Sequence, residues 1–213
     1  MSTRPAIECK LNGPYLVRDL VQLRTSTGHE LPTQPTLALC RCGGSANKPF
    51  CDGTHQKNGF SSAGPVADAT AASPQRVAYR APGITIYDDR TLCAHAGHCT
   101  DGLAAVFKYG SEPWIDAGGA PPTAIVETVR RCPSGALSCT VDGPAVPELA
   151  ASPVLTVTKN GPNAVLGDVA LKDAQSGRSS PAPRYTLCRC GGSKNKPFCD
   201  GTHWSIGFAD ERN

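Results

Sequence analysis

Hydrophobic residues along this chain fall in short alternating runs rather than in long helical stripes. Alternation of apolar and polar positions over a few residues is typical of half-buried strands. Val21-Gln22-Leu23 and Val169-Ala170-Leu171 show this pattern most plainly. The pattern predicts strands at residues 6–11, 21–23, 36–41, 154–158, 169–171 and 185–189.

An internal repeat accounts for this spacing. Residues 13–60 align without a gap with residues 161–208 at an offset of 148, and 24 of the 48 aligned positions are identical. The identities concentrate near the end of each copy, where Cys40-Arg41-Cys42-Gly43-Gly44-Ser45 recurs as Cys188-Arg189-Cys190-Gly191-Gly192-Ser193. Each repeat is therefore predicted to be a small β unit that ends in a cysteine-rich loop.

Two breaks in the pattern, the first rich in Ala, Ser, Gly and Pro, separate the repeats from an inserted segment. Within the insert, the pattern predicts strands at residues 84–87 and 136–141 and a helix at 123–131 with apolar Ile125, Val126 and Val129. The predicted fold class is α+β, with two small β-rich domains and an inserted α+β domain. The predicted layout is a first repeat domain at 1–60, a linker at 61–76, the insert at 77–141, a linker at 142–153 and a second repeat domain at 154–213.

Each repeat carries three cysteines and one histidine at metal-ligand spacing. Cys-x-Cys at the end of a strand can present two thiolates to one metal, and Cys-x₃-His predicts a thiolate and an imidazole on one face of a helical turn. Gly43-Gly44 is expected to leave little side-chain bulk beside the metal, and Asp52 is expected in the first turn of that helix. Composition alone favours structural zinc. The candidate ligands are Cys40, Cys42, Cys51 and His55 in the first repeat and Cys188, Cys190, Cys199 and His203 in the second.

The full motif, Cys-x-Cys-x₂-Ser-x₃-Pro-x-Cys-Asp-Gly-Thr-His, resembles the CDGSH (mitoNEET-like) iron–sulfur family in both copies, with Thr54 and Thr202 where the family name has Ser. The resemblance implies one [2Fe–2S] cluster in each repeat. Cys40 with Cys42 would hold the inner iron and Cys51 with His55 the outer iron, and the second repeat would divide its ligands in the same way. It also implies acid-sensitive clusters, because imidazole must be deprotonated to bind iron. Members of the family pair two such domains, so we expect an intrachain pseudo-dimer, with a homodimer as the alternative.

The insert contains Cys93, Cys99 and Cys132, the last followed by proline. Bacterial ferredoxins use Cys-x₂-Cys-x₂-Cys and a distant Cys-Pro, and here Ala96 occupies the position of the middle cysteine. The segment resembles single-cluster ferredoxins and implies a [3Fe–4S] cluster, with [4Fe–4S] as the alternative. A fourth iron would need another ligand, for which His95, His98 and Cys139 are candidates, with a small external ligand as the alternative. As single residues, the histidines are expected to lie in a surface loop, and Cys139 and Cys9 are expected to be small buried residues.

Several residues next to the candidate cysteine ligands are candidates for a functional role. Arg41, Arg189, Lys48 and Lys196 would orient an acidic partner or tune a redox potential, although each alone is expected to be a solvated side chain. Trp204 follows His203 directly and would cover the second cluster. Gln56 stands at that position in the first repeat, so the two sites need not be equivalent.

Composition narrows the function classes. The chain has 213 residues, 11 cysteines and a formal charge of +3, with no long basic run, no apolar signal core and no stretch long enough for a membrane helix. We therefore expect a soluble cytoplasmic protein that uses its cysteines for metal, with no nucleic-acid or membrane partner.

No catalytic motif beyond the redox clusters is present, so the chain is not expected to be an enzyme. The leading hypothesis is an iron–sulfur electron-transfer protein with an unidentified redox partner. The alternatives are a cluster carrier or redox- and pH-sensitive sensor that serves a cluster acceptor and, last, a zinc-stabilised interaction module.

Overall fold

The computed structural model describes residues 4–63, 76–148, 150–173 and 183–210. Most of the predicted linker at 61–76 lies outside these residues. The strands are β1 Ala6–Cys9, β2 Tyr15–Arg18, β3 Leu23–Thr25, β4 Thr36–Leu39, β5 Arg76–Ala81, β6 Ile84–Asp89, β7 Leu137–Val141, β8 Val154–Val157, β9 Asn163–Leu166, β10 Ala170–Lys172 and β11 Arg184–Leu187. The helices are α1 His98–Gly102, α2 Pro122–Arg130 and α3 Thr202–Ser205, with 3₁₀ turns at Thr54–Gln56 and Arg90–Leu92.

The two repeats exchange a strand. In the first sheet the strand order is β10-β1-β2-β4, and in the second it is β11-β9-β8-β3. Strand β10 of the second repeat pairs parallel with β1 of the first, and β3 of the first repeat pairs parallel with β8 of the second. Each sheet is thus completed by the other repeat, which makes the repeats an intrachain pseudo-dimer.

The first two strands of each repeat form a tight hairpin, and an Asn-Gly pair lies at its turn. Asn12 and Asn160 adopt the left-handed backbone conformation, with φ of 47° and 50°. Asparagine tolerates this conformation better than most residues, and the following glycine suits a short hairpin turn. The turns join β1 to β2 and β8 to β9 as antiparallel pairs.

The apolar faces of both sheets form one shared core. Ile7 and Val17 from the first repeat and Leu155 and Val165 from the second are buried in the same cluster. Cys9 also belongs to this cluster, as expected for a small buried residue, and burial raises the pKa of its thiol to about 12. A core built from both halves means that neither repeat covers its apolar face alone.

The insert has its own smaller core. Strands β5, β6 and β7 form an antiparallel sheet, against which helix α2 packs through Ile125 and Val129. Cys139 is buried there, as expected. The second predicted linker runs along this domain: the Val146 amide donates to the Cys139 carbonyl at 3.0 Å, and Glu148 pairs with Arg184 at 3.0 Å.

The alternation in the sequence predicted most strands that carry the repeats, with two differences. The strand expected at 21–23 runs instead from Leu23 to Thr25, the residues in register with β8, and Val21 before it is 80% exposed. Strands β2 and β9 were not predicted, nor was β5. Among the described residues, no helix is long and apolar enough to cross a membrane.

The exchanged pair of β3 and β8 yields a stability prediction. Leu23 and Leu155 are register partners, and both side chains are fully buried. Leu155→Ala should lower the free energy of unfolding by about 2–5 kcal/mol, because it leaves a cavity where the two repeats meet. Denaturant unfolding measures the loss. The control, Val21→Ala at the exposed position, should change stability by less than about 0.5 kcal/mol, and an equal effect of both substitutions would contradict the shared core.

Candidate metal centres

The two Cys-x-Cys segments meet at the centre of the pseudo-dimer. Cys40 follows β4 and Cys188 follows β11, and the backbones of Cys42 and Cys190 pair as an antiparallel bridge. Gly43 has φ of +76°, and a Cβ there would lie 2.5 Å from the carbonyl oxygen of Cys190. The first glycine after the cysteines is therefore required by contact with the other repeat as well as by its backbone conformation.

The loop after Cys-x-Cys folds back onto its own strand. The Ser45 hydroxyl donates to the Phe50 carbonyl at 2.7 Å and accepts from the Asn47 amide at 3.0 Å. The Cys51 amide donates to the Ala38 carbonyl of β4 at 2.9 Å, which brings the third cysteine beside the first two. The second repeat forms the same bonds through Ser193, Phe198, Asn195, Cys199 and Thr186.

The helical turn that carries the histidine begins later than the sequence predicted. Asp52 precedes the 3₁₀ turn, and Gly53 with φ of 87° comes between them. The Asp52 carboxylate accepts from the Thr54 amide at 3.0 Å and hydroxyl at 2.7 Å and from the Ala46 amide at 2.8 Å. These bonds hold the pKa of Asp52 well below its usual range. Asp52 thus joins the two ends of the ligand loop and is not part of a first helical turn.

The candidate ligands of each repeat form two pairs. The Sγ atoms of Cys40 and Cys42 lie 3.9 Å apart, and Cys51 Sγ lies 3.4 Å from His55 Nδ1. The corresponding distances in the second repeat are 3.8 Å and 3.4 Å. Two thiolates on one tetrahedral metal with bonds of about 2.3 Å lie about 3.8 Å apart. Among the described residues, no three or more His, Cys, Asp or Glu side chains converge as they would around one metal ion.

These pairs fit a two-iron group better than a single zinc. Each pair has the spacing of two ligands on one metal, so a bound [2Fe–2S] group would take its inner iron on the two cysteines and its outer iron on cysteine and histidine. The Gly44 and Gly192 amides approach Cys42 and Cys190 Sγ, both at 3.4 Å, where an N–H stabilises negative charge on sulfur.

Electrostatics differ between the two pairs of the second repeat. The hydrogen bond from Cys188 lowers the pKa of Cys190 to about 6, so this thiol ionises readily. Burial instead raises the pKa of Cys199 to about 12 and lowers the pKa of His203. Metal binding at the outer pair must therefore release the Cys199 proton.

The arginines between the cysteines are buried, which corrects the expectation that they are solvated. Arg41 and Arg189 are 2% and 1% exposed. Arg189 donates to the carbonyls of Gly161 at 2.9 Å and Thr158 at 2.7 Å and pairs with Asp210. The residue between two strand-end ligands points away from them, into the core, so these arginines fix the ligand strands rather than bind a partner.

The lysines of the ligand loops are only partly exposed. Lys48 Nζ donates to the Ser45 carbonyl and Lys196 Nζ to the Ser193 carbonyl, both at 2.7 Å. Each lysine therefore helps to close its own loop.

The insert forms a third candidate site. Its three assigned cysteines, Cys93, Cys99 and Cys132, line a cavity of about 880 Å³ together with Ala96. Burial raises the pKa of Cys93 and Cys99, and the charge of Cys132 raises both further. Such thiols are stable as thiolates only when a positive group binds them. The three cysteines therefore fit a cluster, with Ala96 leaving one corner without a protein thiolate.

The other candidate ligands divide between the cavity and the core. His95 and His98 line the cavity, and both are exposed. Cys139 is buried in the core of the insert and does not line the cavity. The structure thus leaves His95 and His98 as the protein groups near the open corner.

Sequence reasoning missed two arginines beside the central site. Arg90 donates to Cys93 Sγ at 3.9 Å and pairs with Asp88 at 3.2 Å. Its guanidinium carbon lies 3.8 Å from the centre of the Trp114 ring. Arg184 donates to the carbonyl of Cys132 at 3.0 Å. Neither belongs to a motif; the only sequence signal for Arg184 is that the aligned position of the first repeat is Thr36.

Comparison with known families agrees with this layout. The family described as iron-binding zinc finger, CDGSH type, matches residues 12–56 and 160–204. The family described as divergent 4Fe-4S mono-cluster matches residues 79–142. The chain belongs to the CDGSH iron-binding proteins, with a divergent mono-cluster iron–sulfur domain between two CDGSH domains.

Among curated proteins, the uncharacterized protein YjdI of Escherichia coli strain K12 is 32% identical over 59 residues. The match covers 28% of this chain and 78% of YjdI. YjdI of Escherichia coli O157:H7 matches to the same extent.

The close approach of the two Cys-x-Cys segments yields a second prediction. Gly43→Ala should abolish stable metal loading, because its Cβ would meet the Cys190 backbone, which has no flexible end to move aside. Gly28→Ala is the matched control, since φ there is +86° and no heavy atom lies within 4 Å of a Cβ. Iron and sulfide per chain measure the result. Equal loss in both variants would show that strain at positive φ, rather than contact between the repeats, explains the glycine.

Proposed function

We propose that this protein transfers electrons through two His-ligated [2Fe–2S] clusters in the repeats and one ferredoxin-type cluster in the insert. The observation that carries the proposal is the division of each Cys₃His set into two ligand pairs at one-metal spacing. An imidazole in place of a thiolate removes negative charge from a cluster and raises its reduction potential. The clusters would supply the redox chemistry, and the chain's own residues would bind them, orient them and limit the access of water to them.

For the central site we propose [3Fe–4S], with [4Fe–4S] as the alternative. Three cysteines line the cavity, and Ala96 stands where a fourth thiolate would lie. The matched family's description names a 4Fe-4S cluster, which favours the alternative if His95, His98 or an external group completes the set. Arg90 beside Cys93 places positive charge near the cluster and favours its reduced form.

The proposed assembly is a monomer that meets an unidentified redox partner in the cytoplasm. Each repeat already has its partner within the chain, which removes the usual reason to form a homodimer. A net charge of +3 gives no reason to expect nucleic acid.

A cluster carrier or pH-sensitive sensor is the second candidate, and one observation favours it. Cys51 and His55 of the first repeat are partly exposed, whereas Cys199 and His203 are buried. An accessible outer pair is what transfer to a cluster acceptor would need. A zinc-stabilised interaction module is the least supported, because four ligands around one zinc would converge and those of the described chain do not.

Metal analysis and electron paramagnetic resonance test the proposal. We expect iron and acid-labile sulfide in similar amounts, without stoichiometric zinc. The oxidised protein should show a signal from the central cluster that disappears on one-electron reduction if that cluster is [3Fe–4S]. Stoichiometric zinc would refute the proposal, and an oxidised protein that is silent at the central site would select [4Fe–4S].

The histidine ligand generates a further prediction. His55→Cys should slow cluster loss as the pH falls below neutral, because a proton no longer competes with iron for an imidazole nitrogen. It should also lower the potential of that cluster, since a thiolate adds negative charge. Visible absorbance against pH measures the decay, with His29→Cys at an exposed position as the control. Equal decay in wild type and His55→Cys would mean that histidine does not control release.

A further inference from the structure

The insert lies against one CDGSH site and leaves the other open. Gly53 and Gly201 hold equivalent positions, with φ of +87° and +83°. A Cβ on Gly201 would lie 2.3 Å from Cδ2 of His95, whereas no described heavy atom lies within 4 Å of a Cβ on Gly53. The His95 ring of the insert therefore sits directly on the loop that leads to His203.

Hydrogen bonds hold this contact. The Trp204 indole donates to the His95 carbonyl at 3.2 Å, and its ring lies 5.4 Å from the His203 ring. The Asn195 side chain donates to the carbonyl of Thr91, just before Cys93. Trp204 is 68% exposed, so the side of its ring that does not contact the insert faces solvent.

A buried arginine anchors the insert to the second repeat. Arg184 donates to the carbonyls of Val129 at 2.7 Å and Leu137 at 3.2 Å as well as to that of Cys132. The equivalent residue of the first repeat, Thr36, is exposed. Arg184 and Trp204 of the second repeat thus both contact the insert. The aligned residues of the first repeat, Thr36 and Gln56, are different in kind.

The backbone of the second site also accepts hydrogen bonds from a buried side chain of the shared core. The Tyr15 hydroxyl donates to the carbonyls of Cys188 at 2.8 Å and Pro197 at 3.1 Å. Its counterpart Asn163 is fully buried, and its amide atoms make no hydrogen bond within the described chain. The carbonyls of Cys188 and Pro197 therefore accept side-chain hydrogen bonds from Tyr15, which Asn163 does not give to the first site within the described chain.

The outer ligands show the consequence. Cys199 and His203 are 2% and 5% exposed, whereas Cys51 and His55 are partly exposed. Both loops have the same ligand sequence, so the difference comes from what covers them.

We infer that the insert closes the second CDGSH site, so that the two sites have different roles. The second site retains its cluster beside the central site, and the first is the site open to a redox partner or cluster acceptor. His95 is the positioning residue of this closure. The inference rests on the proposed iron–sulfur function, because it concerns which cluster is exchanged.

Site-resolved alkylation tests the inference on the loaded full chain. Holoprotein is incubated at neutral pH with an iron chelator and iodoacetamide, and peptide mass spectrometry follows alkylation of Cys51 and Cys199 over time. In wild type, Cys51 should be alkylated faster by on the order of tenfold, the ratio that corresponds to the net contribution of one to two hydrogen bonds. Equal rates at the two cysteines would overturn the inference.

Two matched pairs of variants identify the cause. Gly201→Ala should accelerate Cys199 alkylation far more than Gly53→Ala accelerates Cys51, because both place alanine at positive φ but only the first displaces His95. His95→Ala should also accelerate Cys199, whereas Glu127→Ala, at an exposed position of helix α2 in the same domain, should not. If Gly201→Ala fails to load its cluster, the comparison of His95→Ala with its control decides alone.

The iron and sulfide content of the protein before incubation distinguishes a failure of the proposed iron–sulfur function from a failure of the proposed closure by the insert. Wild-type protein without clusters would refute the proposed function. Wild-type protein with full clusters, in which each variant pair gives equal effects, would refute only the closure by the insert.

Discussion

The contact between the backbones of Cys42 and Cys190 is the constraint on which the other features depend. It brings two ligand strands from different repeats so close that Gly43 and Gly191 have no room for a side chain. The contact exists because β3 and β10 cross to the other repeat and fix the two sheets in one core. The metal sites are therefore a property of the paired repeats, and neither repeat alone contains the surroundings of its own ligands.

Pairing within one chain removes the symmetry that a dimer of identical chains would impose. In a symmetric dimer both sites must have the same surroundings. Here Arg184 and Trp204 contact the insert, and the aligned residues of the first repeat are Thr36 and Gln56. One fold thus supplies two ligand sets of identical sequence in different degrees of burial.

The sequence predicted the local features well and the nonlocal ones poorly. The ligand sets followed from spacing within about 16 residues, and the strands that deliver them followed from alternation. The strand exchange was not predictable in this way, because three-residue strands at Leu23–Thr25 and Ala170–Lys172 carry too little pattern to choose a partner. Arg41 looked solvated because arginine usually is. Its place between two ligands at a strand end was the signal that it points inward.

Iron-edge anomalous scattering from crystals of the loaded protein tests the central claim most directly. The account predicts two iron peaks at each CDGSH site, one between Cys40 and Cys42 and the other between Cys51 and His55, with the same division in the second repeat. A single metal peak shared by all four ligands of a site would contradict it.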